Sequence, residues 1–145
     1  MVTSEVLPPK GVDLSELLKM ADRLGSVVHA FNVTDSAASN MSQSPIALAK
    51  ALMERGIEPI MELTCRDRNR MALQGDILAA SALGIENFLC LTGDDPKTGD
   101  HPDAKPVFDL DAIGLLKAAA GLARGKDMPT IFNPRYEILS RQENE

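Results

Sequence analysis

The chain has 145 residues, room for one ordinary domain, and 44% of them are hydrophobic against 3% aromatic, so any core must be aliphatic. Twenty-one acidic against fifteen basic residues leave a net charge of −6; with no Trp and one Tyr, the chain offers neither a basic surface nor a stacking platform for nucleic acid. No apolar run approaches the roughly 20 residues of a membrane span, and the stretch Met1–Lys10 lacks the features of a signal peptide. Cys65 and Cys90 are too far apart for a CxxC metal or redox motif, no metal-ligand set is visible, and a cytoplasmic location is expected.

Val2–Leu7 reads as a short strand ended by Pro8-Pro9 and Gly11. Leu14, Leu17, Leu18, Ala21 and Leu24 then make an amphipathic stripe closed by Gly25. Val27–Val33 is a second apolar strand. Ser44-Pro45 opens a second helix, with Ser as N-cap and Pro in the first turn, and Gly56 stops it. Ile57–Leu63 is strand three, Asn69–Leu83 a helix ended by Gly84, Ile85–Leu91 strand four, and Leu110–Ala123 helix four.

Strand starts recur every 25 to 30 residues, which predicts right-handed βαβ crossovers and a parallel sheet. The fold class is α/β, with strands apolar on both faces as helix-covered parallel strands should be. Two architectures compete. A flavodoxin-like module, with strand order 2-1-3-4, fits in this length. A (β/α)8 TIM barrel needs about 250 residues, so a barrel reading makes the chain about four units, the first half. Residues 1–126 would hold those units and 127–145 an unmatched tail, with Ile131–Pro134 as the start of a fifth strand.

Parallel α/β folds build their sites at the carboxyl ends of the strands, and polar residues gather there. Glu5 is near the end of strand one, and Asn32–Asp35 ends strand two, Glu62–Asp67 strand three and Thr92–Asp95 strand four. Glu5 lies inside an apolar strand. Either it is withdrawn from water, which favours the neutral acid and makes it a proton donor, or strand one is an exposed edge. Asp94 after Gly93 suits ligand contact or plain turn chemistry. Arg66, Arg68 and Arg70 alternate, as a phosphate grip or a solvated basic face would. His29, between Val27 and Phe31, reads as a core histidine, and the cysteines as small buried hydrophobes. Neither GxGxxG nor a Walker A motif is present.

These residues carry a resemblance. Ser4-Glu5-Val6-Leu7-Pro8-Pro9-Lys10-Gly11, Val33-Thr34, Leu63-Thr64-Cys65, Leu91-Thr92-Gly93-Asp94 and the run from Gly99 to Asp111 resemble, in order, the N-terminal half of the methylenetetrahydrofolate reductase family. The resemblance implies a (β/α)8 barrel binding a flavin, FAD in preference to FMN. It also implies reduction of methylenetetrahydrofolate to methyltetrahydrofolate with NAD(P)H. By position it gives catalytic roles to Glu5, as general acid, and to Asp94, as the acid beside the flavin. Cofactor-binding positions are Thr34, Glu62, Leu91, Thr92, Gly93 and Asp94. Some members have Arg where Thr92 stands and His where Glu62 stands. Folate is the implied substrate, and a half-barrel implies a homo-oligomer or a completing partner chain. The alternative is an inactive half-barrel acting as a structural or regulatory subunit.

Overall fold

A computed structural model describes residues 1–128. Strands β1 (Thr3–Val6), β2 (Ala30–Val33), β3 (Pro59–Thr64) and β4 (Asn87–Leu91) pair in parallel in the order β1-β2-β3-β4. Helices α1 (Ser15–Leu24), α2 (Pro45–Met53), α3 (Arg70–Ala82) and α4 (Ala112–Leu122) alternate with them. Sequential order excludes the flavodoxin-like alternative, which needs a strand inserted out of turn. The proposed tail, apart from its first two residues, and the expected fifth-strand start lie outside the described residues.

The helices begin where side chains satisfy their free N–H groups. The Asn69 carboxamide oxygen accepts from the Met71 and Ala72 amides, both at 3.1 Å, and an Asp111 carboxylate oxygen accepts from Gly114 N at 2.6 Å. At α2, Pro45 sets the first turn, but the Ser44 side chain makes no capping bond. The fixed φ of proline suffices there.

Each strand after the first starts two or three residues later than its apolar run. After α1 the chain stays in a turn, with Val27 N and Val28 N donating to Leu24 O at 2.8 and 3.1 Å, and Val27 is exposed. His29 is exposed too. It belongs not to the core but to the β1 edge, where its Nδ1 accepts from Val2 N at 2.9 Å.

Right-handed crossovers between strands taken in sequence place every helix on one face of the sheet, and the pleat shows which side chains meet them. Val6, Phe31, Val33, Met61 and Leu63 are at most 2% exposed and pack with Leu48, Leu52, Leu73, Ile77, Leu115 and Leu122 of the helices. Each such side chain contributes about 1.5–3 kcal/mol through burial. The opposite face corrects the expectation of strands apolar on both sides. It carries Thr3, Glu5, Asn32, Ile60, Glu62, Leu89 and Leu91, a mixed and partly exposed set. Among the described residues no helix covers it, and none is long and apolar enough to cross a membrane.

Candidate functional site

At the carboxyl ends of the strands lies a cleft of about 300 Å³. Glu5, Thr34, Glu62, Leu91, Thr92, Gly93 and Asp94, the residues singled out in the sequence, all line it. Four strand ends bring them together because parallel strands release their chains on the same side.

Two of its carboxyls stand in different surroundings. Glu5 is exposed on edge strand β1, so of its two readings the exposed edge is the one found. The desolvated acid is instead Glu62, on the same open face of β3. Burial, and then the charge of Glu5, push its carboxyl above the ordinary 4.5, against a hydrogen bond from Asn32 that lowers it. Asp94 is exposed, and its main-chain carbonyl accepts from Ser39 Oγ at 3.0 Å.

Thr34 is 2% exposed; its amide bonds Val6 O at 3.1 Å, yet its hydroxyl has no partner. The Asn32 carboxamide oxygen, beside Glu5 in the strand register, is also buried without one. Native proteins seldom leave such groups unpaired; of the two residues, Thr34 lines the cleft. Thr92, by contrast, already accepts from Ala112 N at 3.0 Å and so helps start α4. Gly93 has φ +95°, and a Cβ there would sit 3.0 Å from Arg66 Cβ. Only glycine fits, and it leaves main chain open at the rim.

The polar frame beneath the cleft was not foreseen. Asp35, at the end of β2, accepts from Thr64 N at 2.8 Å and Thr64 Oγ1 at 3.0 Å and pairs with Arg68. Arg68 also reaches Asp76 at 3.2 Å. Arg66 is 3% exposed and forks onto Asp67, Nε at 2.9 and 3.0 Å and Nη2 at 2.7 Å. Arg70 pairs with Asp109 at 2.8 Å, and that bond holds the Asp109 carboxyl down to about 2. Each of the three arginines is thus committed to carboxylate; Arg66 and Arg68 are withdrawn from solvent, while Arg70 stays partly exposed. Alternation with Asp67, and Asp35 just past a strand end, were the available signals. Cys65 is buried and Cys90 half-buried, and burial raises both thiols, so neither is an activated nucleophile. Among the described residues no three His, Cys, Asp or Glu side chains converge as a metal ion would need.

A sequential parallel sheet with its polar groups at the carboxyl rim defines the barrel-type α/β class of βα-repeat proteins. The methylenetetrahydrofolate reductase family model matches residues 1–122. The chain therefore belongs to the methylenetetrahydrofolate reductase family, oxidoreductases of barrel-like fold that generally bind flavin. No curated protein matches the chain at significant similarity.

Proposed function

We propose that the chain contributes the carboxyl-rim site of a flavin-dependent methylenetetrahydrofolate reductase, with FAD as cofactor and NAD(P)H as donor. The observation that carries this reading is the cleft itself. Glu5, Glu62 and Asp94 line it beside the unpartnered Thr34 hydroxyl. Bound flavin would supply the chemistry of accepting a hydride from NAD(P)H and passing it to the folate.

Thr34 Oγ1, buried in the cleft wall without a partner, is a polar atom of the kind a heteroaromatic ring with N–H groups pairs with. Gly93 lines the cleft and lets the chain after β4 pack closely on Thr64 and Arg66, which a Cβ there would meet at 3.2 and 3.0 Å. Glu5, at the cleft on β1, is the residue that the family resemblance places as proton donor to a folate nitrogen as the methylene bridge opens. Glu62, whose carboxyl is pushed up by burial and then by the charge of Glu5, lines the cleft as a further hydrogen-bonding group. Asp94, exposed at the rim, faces positive charge that develops on the substrate.

Glu5→Gln tests the acid role. Reduction of bound flavin by NAD(P)H is expected to survive while folate reduction falls by roughly 10²–10⁴. Unchanged folate turnover would remove Glu5 from the mechanism. The uncovered face among the described residues favours a second reading, a non-catalytic subunit that pairs through that face. Such a chain would associate yet take up no flavin.

A further inference from the structure

The turn that follows Asp35 is built against the preferences of its residues. Ser36, Ala38 and Ser39 have φ of +52°, +51° and +58°, the left-handed region, and none is glycine. Such strain persists only where the surroundings over-determine it; Asn40 Nδ2 donates to Ala37 O and Ala38 O at 3.5 and 3.4 Å, and a second side chain holds the turn from below. Arg66, behind the rim of β3, sends Nη1 to Ser36 O and to Ser39 Oγ, both at 3.2 Å, while Nε and Nη2 grip Asp67. Ser39 Oγ then donates to Asp94 O at 3.0 Å. Ser39 is itself only 8% exposed, and the loop after β4 is seated on it: a Cβ on Gly99 would lie 1.9 Å from Ser39 O. On the other side, Met41 N donates to Asp100 Oδ1 at 2.9 Å.

We propose that Arg66 is a positioning residue of the cleft: through Ser39 it locks the 36–39 turn to Asp94 and holds the rims of β2, β3 and β4 as one unit. The importance of that unit to ligand binding rests on the reading of the cleft given above; the lock itself does not. A lysine cannot replace it, because an ammonium lacks the planar fork that serves Asp67 and the turn at once. The serine hydroxyl is the relay, accepting from the guanidinium and donating to the Asp94 carbonyl.

Hydrogen–deuterium exchange of the whole chain, read by segment, tests this. Arg66→Gln and Ser39→Ala are each expected to speed exchange in 36–40 and 93–99 together by about tenfold, with 25–29 and 56–58 unchanged. Arg66→Lys should behave like Arg66→Gln. The double variant should exchange in 93–99 no faster than Arg66→Gln, because both changes cut one chain of bonds. Loosening of 36–40 alone, with 93–99 still protected, overturns the proposal, as does an additive double variant. Should Arg66→Gln fail to fold, Ser39→Ala removes one hydroxyl and gives the same reading. FAD fluorescence on the same samples separates the two claims. Joint loosening of both segments in the variants, with no FAD bound by wild type, upholds the lock and refutes the reading of the cleft.

Discussion

The two ends of the sheet have hollows of nearly equal size, about 300 Å³ at the carboxyl ends and about 280 Å³ at the amino ends, and almost nothing else in common. Gly25, Gly56, Val28, Ile57, His29 and Glu58 line the amino-end hollow with Met53, and its chain turns by the ordinary device of glycine, Gly56 at φ +72°. At the carboxyl end Gly93 also turns with φ +95°, but the 36–39 turn places serine and alanine in the same left-handed region. Thr34, Asp35, Ser39, Thr64 and Arg66 are all buried there. Buried polar groups and strained main chain both cost stability. Volume alone does not mark a site; the end where the chain tolerates those costs does.

Variants that strike one end and spare the other sharpen this contrast. The largest stability effect is expected from Asp35→Ala, which strips Thr64 and leaves the Arg68 cation without its more buried partner. Breaking a buried pair costs about 3–5 kcal/mol, read as a lower urea midpoint with unchanged m-value. A loss under about 1 kcal/mol would mean that the polar frame does not hold the rim.

Two glycine-to-alanine changes come next. At Gly99 the new Cβ meets Ser39 O at 1.9 Å, so main chain must shift, at about 1–3 kcal/mol and with the carboxyl rim displaced. At Gly56 no atom lies within 4 Å, and only the positive φ opposes the change, at about 1 kcal/mol with the cleft untouched. Equal exchange at the carboxyl rim in the two variants would erase the distinction.

The smallest effect is in pH dependence. In the folded chain Glu62 keeps its proton to higher pH than in the unfolded chain. Its burial therefore costs nothing below about 4.5 and subtracts from stability as pH rises above it. Glu62→Gln should gain on wild type from pH 4 to pH 8. Asp109 runs the other way. Its stabilisation is present above its ordinary 3.8 and lost as pH falls toward about 2. Asp109→Asn should flatten the acid limb only there. A Glu62→Gln advantage that is constant with pH would assign its effect to packing.

The order of elements and the rim were legible because each rests on local signals: apolar runs, glycine stops, and polar residues just past strand ends. Strand starts were not, since Val27, Val28, Ile57 and Ile85 are as apolar as strand residues while serving the turns and packing before each strand. The edge position of β1 is set by its partner across 27 residues of chain, so the exposure of Glu5 could not be read from its apolar neighbours. The same holds for Arg66. In the run Cys65 to Arg70 it looks like a surface basic residue, and only the return of β2 beside β3 puts the 36–39 turn above it.

The central claim is that the carboxyl-end cleft takes the flavin, and titration of FAD into wild type, Thr34→Ala and His29→Ala tests it most directly. The account predicts saturable binding at one FAD per chain, roughly three- to tenfold weaker in Thr34→Ala, which loses one ligand hydrogen bond, and unchanged in His29→Ala at the opposite end. No binding by wild type, or equal weakening by both variants, would contradict it.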